Sequence, residues 1–190
     1  MDVAEAVKKA DEYMSTNPHL AFKAYMGVIN YYRRNKKRVK VSKDILTAYN
    51  NAVVLGLYLA DTRDRLIKTR ELAHEFVRVA KKSDDSEMCA IAFFHAGVAH
   101  NSLNEYKESV KYLEEALVIF EILGNDEGVM LACRNLAEAY ENLGLKKKAE
   151  IHRLRAEALL KKLGEKGNMM ISETERLFKK WKSVPWAIFR

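Results

Sequence analysis

Asn135-Leu136-Ala137-Glu138-Ala139-Tyr140, continued through Gly144, Ala149 and Ala156, is the stretch on which the reading of this chain turns. Forty residues earlier a related stretch runs Phe94-His95-Ala96-Gly97-Val98-Ala99-His100, with Asn104, Ser109 and Ala116 at the matching steps. Repetition at this period marks stacked helical hairpins, each of which buries its apolar side only against its neighbours. Such an array offers surfaces rather than a catalytic cleft. A binding scaffold is expected, and no enzyme activity.

Working outward, helical spacing continues in both directions. Tyr106, Val110, Leu113, Leu117 and Phe120 step by four and three, which places them on one apolar stripe. Turn and cap signals interrupt the pattern at Asn17-Pro18, at Ser83-Asp84-Asp85, at Gly124-Asn125-Asp126 and at Gly164 to Asn168. Asp84 with Glu87, and Ser172 with Glu175, have capping-box spacing. No segment alternates apolar and polar residues over a strand's length, so the chain is all-α. Four helical pairs are expected, over about 2–35, 43–82, 86–123 and 127–163. A further helix is expected from Ser172 to before Pro185. This divides the chain into a repeat domain, 1–171, and a C-terminal capping helix with an apolar tail, 172–190.

Composition agrees. The 190 residues are 48% hydrophobic and 31% charged, with two prolines and eight glycines, which suits a packed helical protein and not a disordered one. No apolar run approaches the twenty residues of a membrane span. The N-terminus lacks a signal peptide's basic start and apolar stretch, and the two cysteines lie inside helical patterns. A reduced, cytoplasmic setting is expected. The net charge of +7 is unevenly spread. Tyr13 to Lys43 holds eight bases and no acid, whereas Asp84 to Glu127 holds ten acids against Lys107 and Lys111. Such asymmetry bears on partners and association rates.

The third and fourth pairs resemble tetratricopeptide repeats of the longer, roughly forty-residue kind. Gly97 and Ala137 match the small residue of the first helix, Ser109 and Ala149 its small partner on the second, and Ala116 and Ala156 the residue against which the next repeat packs. Tyr140 matches the aromatic between the helices, and Gly144 the turn. His100, Asn104 and Arg153 depart from the pattern, where a tyrosine, a glycine and an aromatic are usual. The second pair fits with about eight extra residues, Asn50-Asn51-Ala52 opening its small-residue element, and the first retains little beyond Ala21, Tyr25 and Val28. The resemblance implies an α-α superhelix, a right-handed solenoid of about four hairpins. An irregular helical bundle is the competing reading.

The resemblance further implies a concave groove lined by the first helices, where a protein or peptide segment binds. Carried over, Asn50 and Asn51, then His95, Val98 and Asn101, then Arg134, Asn135 and Glu138 face that groove. Asparagine amides both donate and accept, which suits the backbone of an extended ligand, and Arg134 suits a carboxylate. The same asparagines could instead serve only as polar ties between helices.

A different partner class is raised by Arg33, Arg34, Lys36, Lys37, Arg38 and Lys40, six bases in eight residues. They could contact nucleic-acid phosphates, although no aromatic residue interleaves them for base stacking. A solvated junction, or docking on an acidic protein or another copy of this chain, are the other readings. At the C-terminus, Trp181, Trp186 and Phe189 either cover the end of the array or anchor in a groove. The five histidines show no metal-binding spacing, and no phosphate loop or nucleophile elbow occurs. No cofactor is expected.

Overall fold

The computed structural model describes residues 1–14 and 16–164. Among them are eight α-helices and no strand: α1 (Val3–Tyr13), α2 (Pro18–Asn35), α3 (Lys43–Leu59), α4 (Arg63–Ala80), α5 (Ser86–Ser102), α6 (Tyr106–Ile122), α7 (Asp126–Asn142) and α8 (Lys146–Leu163). The expected helix from Ser172 and the tail residues Trp181, Trp186 and Phe189 lie outside the described residues.

Local chemistry sets these boundaries. Side chains of Asp2, Asn17, Ser42, Thr62, Asp85 and Asn125 each accept from a backbone N–H in the first turn of the helix that follows. At α5 the cap is Asp85, accepting from Met88, and not the expected Asp84 with Glu87. Ser83 donates its hydroxyl to the Ala80 carbonyl and accepts from the Asp85 amide, which braces the turn between α4 and α5 and sets Asp85 at the cap.

From α5 onward the ends follow a strict rhythm. Asn104, Gly124 and Gly144 have φ of 61°, 64° and 75° and stand twenty residues apart. At each, two backbone bonds close the preceding helix: Asn104 to Asn101 and Glu105 to His100, Gly124 to Glu121 and Asn125 to Phe120, Gly144 to Glu141 and Leu145 to Tyr140. This is the Schellman arrangement, whose left-handed residue is cheapest as glycine and tolerable as asparagine. Asn104 therefore does the work of the missing glycine.

Consecutive helices pack antiparallel to build hairpins, and hairpins stack in chain order. The first helices, α1, α3, α5 and α7, also touch one another in succession, while α2, α4, α6 and α8 make no comparable contact with each other. The first helices thus form the tighter inner layer, and the array curves around them. Helix α5 lies between α3, α4, α6 and α7, which is why almost its whole circumference is buried and why its sequence is rich in alanine.

Within α5/α6 the close approach falls where the repeat placed it. A Cβ on Gly97 would stand 2.5 Å from Cγ of Leu113, and the buried Ser109 hydroxyl donates to the Gly97 carbonyl at 2.8 Å. In α3/α4 the same contact is made by Gly56 against Thr69, not at Asn50-Asn51-Ala52. Ala21, Tyr25 and Val28 are core residues of the first pair.

Candidate functional site

The inner helices carry a directed chain of hydrogen bonds. Asn50, on α3, donates its amide to Asn51 Oδ1 at 3.0 Å, which turns its own Oδ1 towards His95 Nε2 on α5, also at 3.0 Å. His95 must then donate from Nε2. Burial pushes the imidazole down to about 4, so near neutral pH the ring is uncharged with its proton on that nitrogen. Asn51 donates onward to the Tyr25 hydroxyl at 3.0 Å and to Asp11 at 3.3 Å, and Tyr25 donates to Asp11. Burial and the Asp11 bond raise the Tyr25 hydroxyl far above its ordinary value, so it remains a donor. The chain runs across α5, α3, α2 and α1 and ends on an exposed carboxylate. Asn50, Asn51 and His95 are each half-buried.

The remaining expected groove residues sit differently. Val98, Asn101 and Asn135 are buried. Asn101 donates to the backbone carbonyl of Asn135 at 3.1 Å, and Asn135 donates to Leu131 at 2.9 Å, so this pair ties α5 to α7. Arg134 and Glu138 are half-buried and already engaged. They line a cleft of about 580 Å³ between α7 and α8, floored by Met130, Ala137, Ala156 and Leu160. Forty residues earlier their counterparts are the half-buried Phe94 and the buried Val98; here the position forms the end face of the described array. Arg153, which replaces the usual aromatic, spans Glu141 at 2.6 Å and Glu150 at 2.7 Å on that face.

Two features were not anticipated. One is a repeated ring stack with its members exchanged. His100 lies on Tyr112 with centroids 5.3 Å apart, and Tyr140 lies on His152 at 5.5 Å, both near parallel. The forty-residue period pairs these positions, so the exchange was legible in principle. The other is the junction of α4 with α5 and α6. His74 meets His100 at 2.9 Å between their Nε2 atoms, and His100 Nδ1 meets Glu105 at 2.6 Å. Arg70 reaches the other Glu105 oxygen at 2.7 Å. Burial holds both imidazoles below their ordinary value; it works the opposite way on Glu105, where bonds from Arg70 and His100 prevail and keep the carboxylate ionised.

Of the basic segment, Arg33 is already committed. It forks onto Glu75, whose Oε1 also accepts from the Tyr49 hydroxyl at 2.7 Å. Arg34, Lys36, Lys37, Arg38 and Lys40 are exposed at the end of α2 and in the loop to α3. No group of three His, Cys, Asp or Glu side chains is arranged for a metal among the described residues, and no described helix is long and apolar enough to cross a membrane.

No protein-family model matches the chain, and no curated protein is similar to it. Solved structures are. One, a crystal structure of kinesin light chain nearly identical TPR-like repeats from Podosopora anserina, superimposes with a TM-score of 0.63 at 16% identity, over 99% of this chain and 97% of that one. At that identity the likeness speaks to architecture, and it agrees with the stacked hairpins. This chain has the tetratricopeptide-like repeat fold.

Proposed function

We propose that this protein is a non-catalytic scaffold that holds an extended segment of a partner protein against its inner helices. Repeat arrays of this fold supply curved, ligand-accessible surfaces, and protein partners are the natural class for them. The observation that carries the reading is the partly buried row His95, Asn50 and Asn51, fixed in orientation by hydrogen bonds across successive inner helices. Amides held in place before binding lose little freedom when an extended backbone pairs with them. The α7/α8 cleft, with Arg134 and Glu138, continues this surface to the end of the array and accepts a side chain of the bound segment.

The test uses an uncharged peptide selected on the full chain from a random display library. Asn50→Ala with Asn51→Ala should weaken its binding about tenfold, the loss of one or two net hydrogen bonds. Circular dichroism should show unchanged helicity. Equal affinity for the variant and the parent protein in calorimetry contradicts the assignment.

A further inference from the structure

The outer face holds a second cleft, between α2 and α4, with α3 as its floor and a volume of about 650 Å³. Its origin lies in the repeat. Aligning Gly56 and Thr69 of α3/α4 with Gly97 and Ser109 of α5/α6 sets Leu59 and Leu72 at the places of His100 and Tyr112. Where the next two hairpins fill the space between helices with stacked rings, this one has two aliphatic chains. Leu59 and Leu72 line the resulting hollow together with Phe22 and Met26 of α2. These four residues make an apolar surface, each of them partly or fully screened from water by its neighbours.

The rim carries more bases than acids. Arg33 borders the cleft from α2, and Arg65, Lys68 and Arg78 from α4; the acids of the lining are Glu71 and Glu75. Arg33 and Glu75 offset each other in their ion pair, with Tyr49 also donating to Glu75, and Arg65 is paired with Asp61 at 3.0 Å. Neither Lys68 nor Arg78 has an ion-pair partner among the described residues, and both are exposed. The α2 wall belongs to the stretch from Tyr13 to Lys43 that contains no acid. With those pairs set aside, Lys68 and Arg78 outweigh the exposed Glu71, and an apolar hollow under a rim of net positive charge favours a ligand that is apolar at its centre and negative at its flanks.

We infer that this outer cleft is a second docking site, for an acidic segment of a partner protein that seats a bulky apolar side chain on Phe22, Met26 and Leu72 and sets carboxylates against Lys68 and Arg78. It is separate from the inner row, so each surface can be lost without the other.

The probe is a fluorescein-labelled peptide with a central tryptophan–leucine pair between glutamates, compared with the same peptide carrying lysines. Fluorescence anisotropy on the full chain should show the acidic peptide binding at least about tenfold tighter. Lys68→Glu with Arg78→Glu, and separately Met26→Glu, should each weaken it about tenfold or more, and Asn50→Ala should leave it unchanged. Lys36→Glu with Lys37→Glu, on the neighbouring loop, should cost less than about threefold, since it alters only the distant field. Helicity and melting temperature establish that each variant folds. The proposal is overturned if the Lys68 and Arg78 reversal binds as the parent does, or if the loop pair loses as much. It is equally overturned if anionic lipid vesicles bind with the same variant pattern while the peptide does not.

Discussion

Adding one methyl group at Gly97 and at Gly27 should move stability in opposite directions. Both glycines lie inside helices, α5 and α2. In isolation, Gly→Ala in a helix interior stabilises by about 1 kcal/mol through reduced chain entropy. At Gly27 nothing lies within 4 Å of the added carbon, so that gain should appear nearly whole. At Gly97 the carbon would stand 2.5 Å from Leu113 Cγ, 2.8 Å from Cδ2 and 3.3 Å from the Leu113 backbone nitrogen. Ordinary carbon contacts are about 3.5–4.0 Å, so the side chain must retreat by about 1 Å. Leu113 is 0% exposed and has no solvent to retreat into. Overpacking of this kind costs about 1–3 kcal/mol, which outweighs the propensity gain and leaves a net loss of about 1 kcal/mol. Urea unfolding followed by circular dichroism measures both. The fourth pair supplies the internal comparison: there Ala137 stands at the equivalent place, and the residue forty after Leu113 is Arg153, which bends away to solvent and Glu141. Gly97→Ala raising the midpoint as much as Gly27→Ala would refute the close packing of α5 on α6.

Other consequences can be checked in the same way. Gly144→Ala forces a side chain into φ 75° and should destabilise by about 1 kcal/mol, whereas Asn104→Gly at φ 61° should change stability by less than about 0.5 kcal/mol. His95 is a base whose folded value is lowered from 6.5 to about 4, so the unfolded chain binds the extra proton first. Its contribution is therefore present above pH 6.5 and lost as pH falls towards 4, amounting to roughly 3 kcal/mol at most. His95→Gln should flatten that part of the urea-midpoint profile, and an unchanged slope counts against the buried neutral ring. Burial pushes the Cys133 thiol up to about 11, and Cys89 is raised more mildly and is partly exposed. Iodoacetamide at neutral pH should label Cys89 slowly and Cys133 only in denaturant, as read by mass spectrometry. Comparable rates for the two would contradict the packing of α7.

Much of the architecture was written in particular residues. Gly97, Ala137, Ser109 and Ala149 announced a close crossing because only small residues permit one, and they recur at a fixed phase. Gly56 was missed because it stands forty-one residues before Gly97 while Thr69 stands forty before Ser109, so no single period aligns both members of the contact. The groove was harder to read. Spacing assigns Asn50, Asn51 and His95 to the first helices, but it does not reveal that Val98, Asn101 and Asn135 are buried, since burial depends on stacking between units. Tyr25 and Asp11 complete the polar chain from positions far apart along the polymer, and no local pattern marks them. The basic run looked like one patch, yet the Glu75 partner of Arg33 comes from a helix forty-two residues away.

The most direct test of the account is to locate a bound segment on the array. A photo-crosslinking version of the selected uncharged peptide, mapped by mass spectrometry, should leave its adducts on α3, α5 and α7, concentrated around Asn50, Asn51 and His95. Adducts confined to α4, α6 and α8, with none on the inner helices, would contradict it.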